Sequence, residues 1–484
     1  MKKRIISLLL LTTMLTSLAA CGGDSDGDRE NTDTAPTSTD TAEVLPAGIE
    51  KKNWDAEFTI LYPYWGLYEN SFFAEENSGE AMNVALFNRQ LKVEEYLGVD
   101  IINHKVAGIE AVMPAVQEGV MAGDDLYQMV LTHCITNTAA MITSGYLLDL
   151  NTVSTINLDG EWWNHVSNKN LSVLGKQYFA ISDYMLPDPN AVLFNKTMIN
   201  DYKLENPYDL VREGKWTIDK MMEMMSAVTK DNGDSVWDVK DTYGFGCPDD
   251  WYLASFIYSS GLTLTEKNED DELIFAMDKE RAYTMAEKLN ALLSSPDTFI
   301  YAFTIDNDPT RIAGESMNVS NGRSLFSLVA SSKLDDYRET TIDFGILPYP
   351  KLDEDQENYI SNDWSGMMCV PSSVQNPEMV GEVIELLSYY TADEVIPAYY
   401  DVVLGEKLSR DDDSKEMLSI IFDGIVFDAG MNYFGFTSGV NAFWDIGDRI
   451  SGSGWGGYAS FLAANKSSAE ATIKAFNEAV ADVE

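Results

Sequence analysis

The chain has 484 residues, of which 45% are hydrophobic and 11% aromatic, so it carries enough apolar surface for a folded protein with a large core. Its 78 acidic residues outnumber 33 basic ones, which gives a formal net charge of −45 at pH 7. This charge argues against nucleic acids and anionic lipid surfaces as binding partners, since phosphate-binding surfaces need dense lysine and arginine.

The first twenty residues have the pattern of a secretory signal. A basic start at residues 2–4 precedes an apolar run from Ile5 to Leu18, and two alanines follow directly before Cys21. This pattern predicts a signal peptide at residues 1–20 rather than a membrane-spanning helix. The cysteine resembles that of a bacterial lipobox, which predicts lipidation of Cys21 and a location at the outer face of the cell membrane. In the alternative, the protein is secreted and the cysteine is incidental.

The composition of residues 21–53 predicts a flexible acidic linker that begins with the lipidated cysteine. From Gly22 to Gly48 the chain is mainly Gly, Ser, Thr, Asp, Pro and Ala, so it cannot bury enough apolar surface to fold. Trp54 begins the composition of a folded protein. The roughly 430 residues that remain are too many for one ordinary core and predict two lobes. No later apolar run is long enough to span a bilayer.

Strand and helix patterns alternate at the start of the folded part. The predicted elements are a strand at 57–62, a helix at 79–97 that ends at Gly98, a strand at 99–106, a helix at 109–121 and a strand at 127–131. This alternation predicts a parallel, doubly wound α/β sheet. Ligands of such sheets bind beyond the C-terminal ends of the strands, where the loop Tyr64–Tyr68 and the pair Thr132-His133 lie.

The same kinds of pattern continue to the end of the chain. Further strands are predicted at 191–195, 324–329, 344–347 and 367–370, and further helices at 218–228, 281–293, 377–390, 412–423 and 467–483. Trp162, Trp163 and Trp216 stand at predicted helix starts and are interpreted as packing residues. The cysteines Cys134, Cys247 and Cys369 are too few and too widely spaced for a disulfide framework, and we expect them to be small buried hydrophobic residues.

Several short motifs, taken in order, resemble those of a known family. They are the lipobox with its linker, Glu94–Val99, Leu193–Lys196, Lys215–Asp219, Phe344–Pro350 and the amphipathic segment Ser467–Val483. Together they resemble the extracellular solute-binding proteins of ABC importers, of the large sugar-binding type that includes the maltose-binding protein. The resemblance extends from about Trp54 to Val483.

The resemblance implies a fold and a function. It implies two lobes, each a mostly parallel sheet flanked by helices, joined by crossing strands with the ligand in the cleft between them. Lobe one then comprises residues 54–186 and 345–397, and lobe two residues 187–344 and 398–484. The implied function is capture of a carbohydrate, such as an oligosaccharide, and its delivery to an ABC transporter permease by a monomer that closes on its ligand. No catalysis and no cofactor is implied.

Candidate ligand-binding residues follow from the chemistry of sugars. A sugar ring presents an apolar face, which aromatic side chains can cover, and a rim of hydroxyls, which polar side chains can bond. The candidates, taken from loops at predicted strand ends, are Tyr64, Trp65, Tyr68, His133, Asp183, Tyr184, Trp251, Tyr252, Trp364 and Trp444. For each of them, a role in packing is the alternative. The resemblance singles out Trp444 as a stacking aromatic.

Residues 230–241 resemble a calcium-binding loop, in which oxygen ligands recur at fixed positions. The ligands would be Asn232, Asp234, the Val236 carbonyl, Asp238 and Asp241. Lys230 and Ser235 depart from that pattern, because they replace the first acid and the turn glycine. The alternative is an acidic turn without a metal.

Two other functions stay open at this point. The acidic charge is compatible with a peptide, a polyamine or another cationic solute in the same fold. A surface glycosidase is possible in principle, because two carboxyl groups are enough for that chemistry. However, among 78 acidic residues nothing singles out such a pair, and only three histidines are present.

Overall fold

Strands and helices alternate along the chain, as the sequence predicts. The computed structural model describes residues 45–46, 48–64, 72–134, 136–238, 240–247, 250–300, 319, 322–337, 340–363, 365–400, 412–435, 439–451 and 455–483. The strands are β1 (Ala56–Pro63), β2 (Val99–Val106), β3 (Met129–Thr132), β4 (Asn190–Asn195), β5 (Tyr243–Cys247), β6 (Thr265–Lys267), β7 (Leu273–Phe275), β8 (Thr298–Ile300), β9 (Ser324–Ala330), β10 (Phe344–Leu347), β11 (Ser361–Asn362), β12 (Met367–Cys369) and β13 (Ile425–Val426).

Helices connect and cover these strands. They are α1 (Ala81–Leu97), α2 (Val112–Ala122), α3 (Thr138–Thr143), α4 (His165–Leu171), α5 (Lys196–Tyr202), α6 (Pro207–Arg212), α7 (Ile218–Ser226), α8 (Ser255–Ser259), α9 (Glu280–Leu293), α10 (Pro377–Tyr390), α11 (Asp412–Asp423), α12 (Ala429–Phe434), α13 (Asn441–Trp444), α14 (Ile446–Ser451) and α15 (Tyr458–Asp482). The last helix begins at Tyr458 rather than at Ser467. Among the described helices, none is both long and apolar enough to cross a bilayer.

One sheet has four strands in the order β12-β3-β1-β2. β1 pairs in parallel with β2 and with β3, which is the arrangement that the strand–helix alternation predicts. β12 is antiparallel to β3, with Met367 opposite Thr132. α1 and α10 pack against each other in this part of the molecule. This sheet and its helices form the first lobe.

A second sheet has five strands in the order β10-β4-β9-β5-β8. β4 is antiparallel to both β9 and β10, and β5 is parallel to both β8 and β9. Residues 345–347 pair with β4, so they belong to this second lobe. The change of lobe predicted at residue 345 therefore lies inside β10, and the chain returns to the four-stranded sheet only at Met367.

The helix ends and the core explain why these residues take these positions. α1 ends at Leu97 because Gly98 adopts a left-handed conformation, with φ of 62°, and donates its N–H to the Glu94 carbonyl. Trp216 is fully buried, and its indole Nε1 donates to the Pro348 carbonyl at 2.9 Å. Trp163 is buried as well, which agrees with the predicted packing role of these tryptophans. The three described cysteines are buried, as expected.

Candidate functional site

The four-stranded sheet directs one set of loops toward the second lobe. β1 and β3 are parallel, so their C-terminal ends lie at the same end of the sheet. Tyr64 follows β1 directly, and His133 follows β3. β12 runs antiparallel to β3 and therefore begins at this end, with Met367 opposite Thr132. This is the end of a parallel sheet where ligands bind.

The five-stranded sheet presents a matching end. β5 and β9 are parallel, and the residues after them are the turn Asp250–Ala254 and Ser331. β4 is antiparallel to β9, so it begins here, with Asn190 opposite Ala330. The segment before β4 leads back to the first lobe. The two sheets are thus joined by connecting segments, one that leads into β4 and one that leads from β10 to β12.

The connecting segments contact each other directly. The backbone N–H of Asp188 donates to Asp363 Oδ1 at 3.0 Å, and Pro189 forms an antiparallel bridge with Asp363. The hydroxyl of Tyr399 donates to the Pro187 carbonyl at 2.7 Å. We call this place the interlobe junction and define it as Pro187–Asn190, Ser331, Ser332, Ser361–Asp363, Ser365 and Tyr399.

Two buried carboxyl groups lie at the centre of the interlobe junction. Asp188 accepts hydrogen bonds from the Ser331 hydroxyl at 3.0 Å and from the Ser332 backbone N–H at 2.7 Å. Asp363 accepts a backbone N–H bond from Ser365 at 2.6 Å. Burial raises the pKa of Asp363 to about 7, and the neighbouring negative charge of Asp188 acts in the same direction. Burial also raises the pKa of Asp188.

An aromatic pair lies beyond β5. The indoles of Trp251 and Trp444 are 5.3 Å apart between centroids and inclined at 67°, in edge-to-face contact. Trp251 is 41% exposed and Trp444 is 8% exposed. The carbonyl of Tyr252 accepts a hydrogen bond from the Tyr349 hydroxyl at 3.1 Å, and Tyr349 follows β10 at the same end of the sheet. The structure therefore brings together three of the predicted site residues, namely Trp251, Tyr252 and Trp444.

The other described candidates lie in different surroundings. Tyr64 is exposed, and the Lys105 ammonium lies 5.5 Å from the centroid of its ring. His133 is buried, with its Nδ1 3.4 Å from Cys134 Sγ. Asp183 is half-buried and donates its backbone N–H to the Trp162 carbonyl.

Tyr184 lies in the core of the first lobe. It is 1% exposed, and its ring is stacked on Phe72 at 5.8 Å between centroids. The Arg89 guanidinium lies 4.5 Å from the centroid of the Tyr184 ring. The structure therefore gives Tyr184 a packing position rather than a place on an open surface. Trp65, Tyr68, Trp364 and Cys21 lie outside the described residues.

The loop with the predicted calcium ligands uses its oxygen atoms internally. Asp241 accepts the backbone N–H of Asn232 at 2.8 Å and that of Asp238 at 2.6 Å. Asp234 accepts the backbone N–H of Val236 at 2.8 Å. Within the described part of the chain, no group of three or more His, Cys, Asp or Glu side chains could hold a metal ion. Calcium at this loop stays a prediction.

Sequence reasoning did not single out the residues of the interlobe junction. Their signal was short polar stretches directly before predicted strands, Pro187–Asn190 before β4 and Ser361–Asp363 before β12. Such stretches are typical of ordinary loops as well. Only the pairing of Pro189 with Asp363, residues far apart in the chain, distinguishes them.

Comparison with known proteins identifies the fold. No protein-family model matches the sequence, and no curated protein matches it significantly. Among solved structures, the maltose-binding protein MalE of Listeria monocytogenes, in complex with maltose, is similar, with 12% identity, a TM-score of 0.53 and coverage of 88% of this chain and 97% of that one. The GacH receptor of Streptomyces glaucescens, solved unliganded and with acarbose, has 13% identity, a TM-score of 0.50 and coverage of 89% and 99%.

A third similar structure is a cyclo/maltodextrin-binding protein complexed with maltotetraose, with 13% identity, a TM-score of 0.53 and coverage of 88% of this chain and 96% of that one. At such low identity the likeness shows the fold alone. It extends over nearly the whole of each solved chain, so the two-lobed α/β fold that the sequence predicts is confirmed.

Proposed function

We propose that this protein is the solute-binding component of an ABC importer and captures a carbohydrate, an oligosaccharide, at the interlobe junction. The observation that carries the proposal is the combination of an indole pair, Trp251 and Trp444, with buried hydrogen-bonding groups at the facing ends of the two sheets. A sugar needs both, because its ring has an apolar face and a polar rim. The three solved structures of the same fold were determined with maltose, acarbose and maltotetraose, which supports a sugar ligand.

The proposed protein binds its ligand without changing it. The structures that share the fold are binding proteins or receptors by their names. The carboxyl groups of Asp188 and Asp363 already accept hydrogen bonds from the connecting segments, so they serve the junction itself. The role of the fold is then to close two lobes around a solute.

Attachment to the membrane completes the proposal. The lipid on Cys21 and the linker to Gly48 would hold the folded part near the permease, since a tethered partner has a high effective concentration. One lipid chain binds a membrane only weakly, and stable anchoring needs more than one. A bacterial lipoprotein with several acyl chains on one cysteine would satisfy this requirement.

The test is isothermal titration calorimetry of the mature protein, starting at Cys21, against maltose, maltotetraose and mannobiose, with chromatography of the ligand afterwards. We expect binding of at least one of these glycans and recovery of the glycan unchanged. Hydrolysis of a glycan would contradict a purely binding role. Binding of spermidine or a tripeptide, with none of any glycan, would contradict the carbohydrate assignment while leaving the fold intact.

A further inference from the structure

Two asparagine side chains at the interlobe junction carry hydrogen-bonding atoms that the protein does not use. Asn190 is 1% exposed and Asn362 is 2% exposed. The amide nitrogen of Asn190 donates to the Ser255 hydroxyl at 2.8 Å. Within the described residues, the amide oxygen of Asn190 and both amide atoms of Asn362 are buried and have no hydrogen-bond partner.

The two amides lie next to each other. The bridge between Pro189 and Asp363 is antiparallel, so the next residues in register, Asn190 and Asn362, are opposite each other on adjacent segments. Side chains of directly opposite residues stand about 5 Å apart at their Cβ atoms. β10 pairs with β4 only as far as Val192, and β11, which contains Asn362, occupies the space beside the start of β4.

Unpartnered amides at this place need an explanation. Leaving one buried polar atom without a hydrogen bond costs about 1–3 kcal/mol, and native proteins rarely carry several together. Elsewhere in this chain a buried asparagine has a partner at both amide atoms: Asn168 donates to the Ile181 carbonyl at 3.1 Å and accepts the Ile181 N–H at 2.7 Å. The contrast indicates that the groups at the junction are kept for a partner outside the protein.

The donors and acceptors of the two amides define the chemistry of that partner. The unused atoms of these two side chains are two acceptors, the amide oxygens of Asn190 and Asn362, and one NH₂ donor on Asn362. A sugar hydroxyl both donates and accepts, so two neighbouring hydroxyls can satisfy all three groups. An ammonium ion would leave the NH₂ donor unmet, and a carboxylate or phosphate would leave the two acceptors unmet.

We infer that Asn190 and Asn362 form a recognition site for adjacent hydroxyls of a neutral polyol ligand. The inference rests on the proposed function and deepens it, because it selects a neutral hydroxylated ligand over a polyamine or an acidic solute. Ser255, which bonds Asn190, lies close to Trp251 in the chain, so one short segment carries the exposed indole and a hydrogen-bond partner of Asn190. The atoms are covered in this structure, and a ligand reaches them when the lobes open.

The test uses Asn362→Leu, which replaces the amide by an apolar group of similar shape. Because the amide of Asn362 has no partner to lose, we expect the ligand-free variant to unfold at the same or a higher temperature than the wild type. The matched control is Asn168→Leu, which breaks two hydrogen bonds and should lower the unfolding temperature. A loss of stability in Asn362→Leu as large as in Asn168→Leu would overturn the inference, whatever the ligand is.

The second measurement is calorimetric binding of the glycan that the wild type binds. We expect Asn362→Leu to weaken that binding at least tenfold and Asn168→Leu to leave it within twofold. If the wild type binds a glycan and Asn362→Leu binds it equally well, the inference fails while the proposed function stands. If the wild type binds only spermidine, the proposed function and the hydroxyl assignment both fail.

Discussion

Trp251 and Trp444 share the proposed binding surface, but the fold depends on them to different degrees. Trp444, which the family resemblance singles out, is 8% exposed and packs into the core, whereas Trp251 is 41% exposed. Truncating a buried tryptophan costs about 3–5 kcal/mol, so a loss of binding in Trp444→Ala would be mixed with a loss of stability. Trp251→Ala separates the two effects. We expect it to weaken glycan binding at least tenfold, about 1.4 kcal/mol, with little change in the unfolding temperature.

Trp237 supplies the control for that variant. It is 53% exposed and lies within the acidic loop 231–241, which is not part of the proposed sugar site. Trp237→Ala should leave glycan affinity unchanged when both variants are titrated in the same calorimeter. Equal affinity of Trp251→Ala and the wild type would show that the indole pair does not contact the ligand.

Asp363 gives the stability of the protein a pH dependence with a defined sign. Its pKa is raised to about 7 in the folded state, from about 3.9 in an unfolded chain. Between these values the folded state binds more protons than the unfolded state, so the free energy of unfolding decreases as the pH rises. Asp363→Asn removes this titration and keeps an oxygen for the two N–H donors. We therefore expect the variant to gain stability over the wild type as the pH is raised from about 4 to about 8.

Urea unfolding at several pH values measures that difference. Glu385, in the first lobe, is an independent group of the same kind, since burial raises its pKa to about 7 as well. In Asp363→Asn, the free energy of unfolding should still depend on pH through Glu385. In the double variant Asp363→Asn with Glu385→Gln, the free energy of unfolding should depend on pH even less. Parallel stability curves for wild type and Asp363→Asn would refute the assigned pKa direction.

Residues that pack could be predicted from the sequence more readily than residues that bind. Trp216 stands at a predicted helix start, and the packing role interpreted from that position agrees with its burial. The role of Asn362 depends on which atoms surround its amide, and these come from Asn190 and from α8, far away in the chain. Spacing in a sequence does not encode that proximity, so no pattern identified Asn362.

At the scale of elements, α10 holds the first lobe together through a buried carboxylate. Glu385 is 1% exposed and accepts the indole N–H of Trp162 at 2.7 Å, that of Trp163 at 3.0 Å and the backbone N–H of Asn157 at 2.5 Å. Glu385→Ala would leave three donors unmet, each at a cost of about 1–3 kcal/mol. We expect a loss of at least about 3 kcal/mol in the free energy of unfolding, measured by urea titration.

The same helix offers a matched control in Glu378. Its side chain is 59% exposed and forms an ion pair with Lys52 at 3.5 Å. Exposed ion pairs contribute about 0–1 kcal/mol, so Glu378→Ala should change stability by less than that. If Glu385→Ala lowered the free energy of unfolding as little as Glu378→Ala, the buried carboxylate would not be what holds residues 157–163 against α10.

The strand–helix alternation predicted the parallel core of the first sheet but not its antiparallel members. β1, β2 and β3 follow one another with helices between them, and that order requires parallel pairing. In the first sheet β12 reaches β3, and in the second sheet β10 reaches β4, through long connections that a local pattern does not describe. The family resemblance implied a return to lobe one at residue 345, whereas β10 pairs with β4 through residue 347.

At the scale of the whole molecule, the connecting segments meet at one place. Asp363 receives the N–H of Asp188, and the Tyr399 hydroxyl bonds the carbonyl of Pro187. Connecting segments of this kind allow two lobes to rotate relative to each other. Asn190 and Asn362 lie beside these contacts, so a ligand bound between them would contact the connecting segments. Under the proposed function, binding and closure would then be coupled through the same residues.

The net charge of −45 provides a test of ligand class that does not require a structure of the complex. A neutral glycan makes no net electrostatic interaction with so acidic a protein, whereas a polyamine would be attracted by its whole field. Added salt screens that field, with a Debye length of about 10 Å at 0.1 M and about 3 Å at 1 M. We expect glycan affinity to change less than about twofold over this range, measured by calorimetry at fixed pH.

Spermidine, titrated over the same range of salt, is the control, since any binding of it should weaken steeply. A steep loss of affinity for the neutral glycan with salt would contradict recognition of its hydroxyls by the uncharged amides of Asn190 and Asn362.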